Sequence, residues 1–434
     1  MHLQTDDQTI EDLGIFGKRN GNGIYDIYNN AHTRGGEALL EEMFRSPLSD
    51  QAAINRRSNI IAQFMQAKLA FPYEAGLFDI TEKYLLQGVK EQQQQVQLSE
   101  KEIQNGVAAV IELLQLTKAF VESKEVQQFK EYATERDAIT KLLSNPGLIP
   151  ALKEGGSRNK LSYAAATAFD ALFRTTERVG IERILRHLYY LDVYISVAKT
   201  ALERGFIFPR ALEKGRPVLS IEGVYHPSLK SAVRNNVKMH QQQNVIFLTG
   251  ANMAGKSTLL RSLSTSLYIA HMGFPVAADS MEFSVLDGLY TTVNLPDNLG
   301  IGASHFYAEV LRVKKMATEL STGKSLFILF DELFRGTNVK DAHEATIAVT
   351  KGFAGKDNSL FIISSHIVEA GEELKQKPNI GFLFLPTRMK GNVPEYTYTL
   401  EEGITDDRHG MIIIRNEGIL ETLKNGKKIY KDEF

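Results

Sequence analysis

The chain has no cysteine among its 434 residues, which excludes disulfide bonds, thiolate catalysis and cysteine-based zinc sites. It also lacks any apolar run near the ~18 residues of a membrane-spanning helix. Its opening residues, MHLQTDDQTIEDLG, are acidic and polar, unlike a secretory signal. The closing KDEF reads as a charged tail rather than a retention signal, so the cytoplasm is the expected location. A dominant charge of one sign is missing too: 50 basic against 52 acidic residues leave a formal net charge of -2. Such a chain has no bulk attraction for nucleic acid, and DNA binding would require a local basic stripe. Internal repeats and long heptad runs are absent, which argues against extended coiled-coil arms. What is present is ordinary globular material, 43% hydrophobic and 24% charged, enough for a core in each of two or three domains.

The two halves have different periodicities. Up to about residue 215 the pattern is helical. Ile103, Val107, Val110, Ile111 and Leu114 share one face, as do Ile184, Leu188, Leu191, Ile195 and Ala198. Residues 144–147 (SNPG) and 154–159 (EGGSRN) read as turns, and the glutamines at 92–95 as a solvated helix face. Beyond residue 215, short β-rich runs appear at 245–248, 326–330 and 360–363, each followed by a helical pattern. Alternating strands and helices imply a largely parallel sheet that binds its ligand beyond the strands' C-terminal ends. The expected organisation is an all-α domain over 1–215 and an α/β domain over 216–434, divided near Pro209–Pro217.

The first β-run leads into Gly250-Ala251-Asn252-Met253-Ala254-Gly255-Lys256-Ser257-Thr258, which contains G-x-x-x-x-G-K-S. Glycines let backbone N–H groups turn onto phosphate oxygens, and the following helix directs its positive end to the same point. Lys256 is placed to neutralise β- and γ-phosphates, and the Ser257 hydroxyl to ligate Mg²⁺. The second run ends in Asp331-Glu332, an acid pair suited to holding the magnesium (Asp331) and to polarising an attacking water as general base (Glu332). The third ends in Ser364-Ser365-His366, where His366 can meet a γ-phosphate or its water. Between the first two lies Gly302-Ala303-Ser304-His305-Phe306-Tyr307-Ala308-Glu309, a Gly–Ser turn opening a helix and so a second anion site. ATP and Mg²⁺ are the expected ligands.

The order GANMAGKST, GIGASHFYAE, FDELFRGTN, SSH resembles the ATPase of the MutS family. Asn252 and Met253 match inside the P-loop. Gly302, Ser304, Phe306 and Glu309 match the signature, and Asp331, Glu332, Arg335, Gly336 and Thr337 match the acid-pair motif. Asp341, His366, the Tyr225-His226-Pro227 turn and the stretch Gly403…His409-Gly410 also fall on the pattern. Upstream, residues 32–40 (HTRGGEALL), Ser46-Pro47-Leu48, residues 54–57 (INRR) and Phe64 are similar to the start of the family's core, or lever, domain. Tyr190-Leu191-Asp192 and Phe208-Pro209 are similar to its end.

The resemblance implies an α/β P-loop NTPase domain of the ABC type behind a helical lever. It further implies a homodimer with composite ATP sites, Ser304 reaching into the partner's site, and hydrolysis coupled to DNA binding or clamping. Because the chain begins where the family's core begins, mismatch recognition is not expected. Phe129-Lys130-Glu131, a literal Phe-x-Glu, is read as a chance occurrence in mid-helix. Two departures are His305, where the family has Thr, and Phe334, where it has Gly. A nucleotide-gated module gripping RNA, a ribosome or a protein stays open as the alternative.

Overall fold

The computed structural model describes residues 1–17, 22–86, 99–154, 161–293, 305–390, 393–405, 414 and 418–429. The chain folds as two compact units. One comprises residues 1–24, 46–55 and 206–434, the other residues 25–45 and 56–205. The expected division was 1–215 against 216–434. Contacts place the change at 205/206 and also assign two N-terminal stretches to the α/β unit. The glutamines at 92–95 and most of the turn at 154–159 lie outside the described residues.

Among its described residues the second unit contains only helices: α2 (Ile24–Tyr28), α3 (Arg34–Arg45), most of α4 (Gln51–Ala67), α5 (Ala75–Leu86), α6 (Glu100–Glu122), α7 (Lys124–Gln127), α8 (Ala133–Leu143), α9 (Ile149–Lys153), α10 (Tyr163–Ala171), a π-helical turn (Leu172–Thr176) and α11 (Arg178–Arg204). Of the apolar residues chosen for periodicity, Val107, Val110, Ile111 and Leu114 on α6 and all five on α11 are buried, while Ile103 is half-buried near the start of α6. Asp192, Ser196 and Thr200, spaced by four on α11, form a buried polar stripe. The fully buried Asp192 carboxylate accepts the Thr33 N–H at 2.8 Å and its hydroxyl at 2.7 Å, and the His32 N–H at 3.0 Å. Ser196 and Thr200 receive the Asn30 N–H and side-chain amide at 3.0 and 3.1 Å. A Cβ on Gly36 would sit 2.3 Å from an Asp192 oxygen, so only glycine permits this approach. Phe129 is buried against Phe64, rings 5.6 Å apart. It lies in the turn after α7, not in mid-helix as the sequence pattern had implied.

The first unit is mixed α/β. A six-stranded sheet has the order β12-β9-β4-β8-β7-β6, with β4 (Val245–Gly250), β6 (Gly288–Thr292), β7 (Leu326–Phe330), β8 (Leu360–Ser364), β9 (Ile380–Leu385) and β12 (Glu401–Glu402). All neighbours pair parallel except β12, which runs antiparallel to β9. Strands β4, β7 and β8 are wholly buried, as a parallel sheet covered on both faces requires. Helices α12 (Lys256–His271), α13 (His305–Ser321), α14 (Val339–Ala354), α15 (Val368–Leu374) and α16 (Ile419–Ile429) belong to this unit. So do a four-stranded sheet of β1 (Arg210–Leu212), β2 (Val218–Val224), β3 (Asn235–His240) and β5 (Ser280–Ser284), ordered β1-β5-β2-β3, and the antiparallel pair β10 (Thr387–Lys390) and β11 (Val393–Tyr396). None of the described helices is long and apolar enough to cross a membrane.

The free side of β6 is closed by the N-terminus. Gln4 bridges Gly288, accepting the Leu289 N–H at 2.9 Å. The helix α1 (Asp7–Asp12) then supplies side chains in place of a strand. Thr9 Oγ1 accepts the Thr291 N–H at 3.0 Å, and Asp12 Oδ2 accepts the Val293 N–H at 2.8 Å and the Thr291 hydroxyl at 3.0 Å. Asp6 pairs with Arg312 and, at 2.5 Å, with Lys315, both on α13. Burial works against an ionised Asp6, yet the hydrogen bonds and charge of Arg312, with Lys315 and Thr9, hold its carboxyl well below the ordinary range. An edge strand left bare exposes unpaired backbone groups; here they are met by the backbone of Gln4 at one end and by the side chains of Thr9 and Asp12 beyond it.

Replacing Asp12 by alanine strips a buried N–H and a buried hydroxyl of their acceptor. We expect a loss of about 2–4 kcal/mol in unfolding free energy. Urea titration checks it, and a change under about 0.5 kcal/mol, the range of ordinary surface substitutions, would contradict the strapping role of α1.

Candidate functional site

Strands β4, β8 and β7 are consecutive neighbours in the sheet, so their C-terminal ends lie side by side. The residues picked from the sequence fall at those ends. After β4 the chain turns through residues 251–255 and enters α12 at Lys256. The turn needs backbone conformations that L-residues avoid: Gly250 has φ 150°, Met253 68° and Gly255 97°. Met253 adopts it despite its side chain, which is 74% exposed. At Gly255 space is closed as well, because a Cβ there would stand 2.9 Å from the Tyr398 ring. Asn252 and Thr258 are exposed, and Ala254 is buried beneath the turn.

Lys256 is buried, and its ammonium donates to the carbonyls of Gly250 at 2.8 Å and Ala251 at 3.1 Å. Burial lowers its pKa, while Asp331 and Glu332 pull it back up. The Ser257 hydroxyl donates to Asp331 Oδ2 at 2.5 Å. Asp331 is in turn bonded at Oδ1 by the Ser364 hydroxyl at 2.5 Å. The next residue, Glu332, accepts from His366 Nε2 at 2.7 Å and from Arg335 at 3.3 Å. The hydrogen bond from His366 is the main reason the Glu332 carboxyl falls to about 2; partial burial opposes it, and the charges of His366 and Lys256 and the Arg335 bond assist. A buried ammonium, a paired hydroxyl and carboxylate, and a carboxylate–imidazole couple thus lie at the adjacent ends of β4, β7 and β8. The hard oxygens of Ser257 and Asp331 are the donor type a magnesium ion takes.

Residues 301–304, including Gly302 and Ser304, lie outside the described residues, as does the stretch 406–413 with His409 and Gly410. Two other signature residues are placed. Phe306 packs against Phe334 with ring centroids 5.8 Å apart, and Glu309 Oε2 accepts the Gly336 N–H at 3.3 Å. Helix α13 is therefore joined to the loop carrying Glu332. Asp341 lies in the first turn of α14, which Asn338 caps: Asn338 Oδ1 accepts the Asp341 N–H at 3.0 Å, and the Asp341 carboxylate accepts from the Asn338 amide at 2.5 Å. Sequence reasoning passed over Ser364, naming it only as the end of a β-run. It also passed over a cavity of about 230 Å³ beside Gly255, lined by Tyr225, His226, Val233 and Tyr398 among others. No periodicity marks that cavity, because its walls come from residues more than 150 positions apart.

Phe334 has φ 63°, the left-handed region in which glycine is free and other residues are strained by roughly 1–3 kcal/mol. Its ring is 4% exposed within the core, and truncating such a ring costs about 3–5 kcal/mol. Packing outweighs strain. We expect Phe334→Gly to destabilise the protein by about 1–3 kcal/mol, read from chemical unfolding; a stabilised variant would reverse that ordering.

Two sequence profiles match the chain: MutS domain V over residues 246–431 and MutS domain III over residues 8–198. The DNA mismatch repair protein MutS of Fusobacterium nucleatum subsp. nucleatum is 27% identical over 324 residues, 71% of this chain and 36% of that protein. The matched region thus spans little more than a third of that relative's length.

Proposed function

The chain belongs to the MutS family, and from that premise we propose that its α/β unit is an ABC-type P-loop ATPase that closes as a dimer around Mg·ATP. The observation that carries the reading is the convergence of Lys256, the Ser257–Asp331 pair and the Glu332–His366 pair at the adjacent ends of β4, β7 and β8.

The turn 250–255 supplies backbone donors, and the start of α12 supplies the positive end of its dipole. Lys256 exchanges two backbone carbonyls for β- and γ-phosphate oxygens. Its burial makes that exchange strong, because a cation already stripped of water gains most from an anion. Ser257 and Asp331 would hold the magnesium, which neutralises charge on the β- and γ-oxygens. Glu332 accepts the proton of the attacking water as its oxygen bonds to the γ-phosphorus and the bond to ADP breaks. His366, released from Glu332, donates to the γ-phosphate. The cavity beside Gly255, with Tyr225, His226 and Tyr398 in its wall, receives the base. Ser304 and the start of α13 complete the site of the partner subunit.

As macromolecular partner we assign DNA, bound or clamped through the helical unit. The relative's name, a DNA mismatch repair protein, supports that choice. The net charge of -2 restricts contact to a local patch.

Lys256→Ala and Ser304→Arg should each abolish turnover. In the composite arrangement their mixed dimers contain one site with both lesions and one with none, so mixing restores part of the steady-state ATPase rate. No recovery on mixing would place Ser304 in its own subunit's site. Filter binding of duplex DNA should weaken steeply between 50 and 200 mM salt, by about tenfold or more if several phosphates are contacted. Absent or salt-insensitive binding, with RNA or protein retained instead, would favour the nucleotide-gated module over the DNA clamp.

A further inference from the structure

Ser364 ends β8, the strand between the one that leads to Lys256 and the one that leads to Asp331. Its side chain has no solvent exposure. The hydroxyl donates to Asp331 Oδ1 at 2.5 Å and accepts the N–H of Glu332 at 3.1 Å, while its backbone carbonyl accepts the Leu333 N–H at 3.3 Å. A serine hydroxyl has one proton to give and lone pairs to receive; here both functions are spent on two consecutive acids.

Each of those acids needs an external hold. The terminal torsion of an aspartate is broad and roughly two-fold, so a carboxylate gripped at one oxygen still swings. Ser257 takes Oδ2 at 2.5 Å, and Ser364 takes the other oxygen, which fixes the carboxylate plane with Oδ2 turned toward Ser257. Glu332 stands at φ 56°, strained for a residue with a side chain, and the two bonds from Ser364 to residues 332 and 333 keep the backbone there.

We propose that Ser364 is a positioning residue of the hydrolytic site: it orients Asp331 toward the Ser257 hydroxyl for metal binding and holds the Glu332 backbone at the angle that presents its carboxylate. The assignment rests on reading this edge as the Mg·ATP site. Ser364 touches neither metal nor nucleotide and acts only through its two neighbours.

The competing account is that Ser364 merely ties β7 to β8. The same strands offer a matched control. At their opposite end the buried Ser359 hydroxyl accepts the Leu326 N–H at 3.0 Å, so Ser359→Ala removes an equivalent inter-strand bond far from the acids.

The test uses the full chain and two readouts: Mn²⁺ binding by electron paramagnetic resonance with a non-hydrolysable ATP analogue, and steady-state ATPase against Mg²⁺ concentration. In Ser364→Ala the apparent metal affinity should fall about tenfold, the scale of one lost hydrogen bond to a charged group. The rate at saturating Mg²⁺ should drop about threefold, a smaller effect because Lys256, Ser257 and the Glu332 carboxylate remain. Ser359→Ala should keep metal affinity within about twofold, less than one ordinary hydrogen bond is worth, although both variants lower the thermal midpoint. Ser364→Cys, close in size with a weaker donor, should shift affinity in the same direction and decides the matter where the alanine variant does not fold. Unchanged metal affinity at position 364, or an equal loss in Ser359→Ala, overturns the proposal while the wild-type activity leaves the ATPase reading standing. A wild-type chain without nucleotide-dependent Mn²⁺ binding removes both.

Discussion

The carboxylate of Asp331 is the point to which the α/β unit is referenced. One oxygen meets Ser257 at the head of α12, the other meets Ser364 at the end of β8, and the Asp331 N–H donates to the Thr292 carbonyl of β6 at 2.8 Å. An acid drawn into a sheet edge is tolerated only where its oxygens are hydrogen-bonded, and its donors come from the elements on either side. That requirement fixes how far each strand runs before it turns. β4 continues to Gly250 and β8 to Ser364, past the ends of their apolar runs, because the polar residues that follow are still paired in the sheet. The parallel arrangement makes this possible, since only parallel neighbours end on the same side.

The second support of the same edge comes from far away in the chain. Thr291 and Thr9 are separated by 282 positions and Arg312 and Asp6 by 306. Through Arg312 and Lys315, helix α13 is anchored to the N-terminal segment. Through Glu309 and Phe306 the same helix bears on the loop of residues 331–336. The opening fourteen residues, which carry no site motif in the sequence, are therefore part of the framework around the acids.

Legibility followed locality. The turn 250–258 and the acid pair at 331–332 could be read because strand, glycine and charged residue lie within about ten positions, and each such run keeps its strand-to-helix order in the fold. The apolar periodicities of α6 and α11 were equally local. The division between units was not, because it depends on which stretches of the first 55 residues pack with residues beyond 205. Nor was the role of HTRGG: its glycine is required by an aspartate about 156 positions later, and a single sequence carries no record of that approach. Ser364 was missed for a related reason. A serine at the end of a β-run is unremarkable until the neighbouring strand is known to end in two acids.

On the proposed reading, the state of Glu332 decides what turnover demands. A carboxylate held at about 2 by His366, with Arg335 beside it, is a weak base, because the groups that stabilise its charge reduce its appetite for a proton. The bond to His366 at 2.7 Å must be exchanged before Glu332 can take a proton from water. A γ-phosphate is the natural competitor: it carries more charge than a carboxylate and lies where Lys256 and the turn 250–255 would hold it. Binding and activation are then one event. Phosphate draws His366 away, the largest cause of the depressed pKa is removed, and Glu332 becomes a usable base only when substrate is present. Ser364 bonds the backbone of Glu332, not its carboxylate, so it can hold the base in place through that exchange without weakening it.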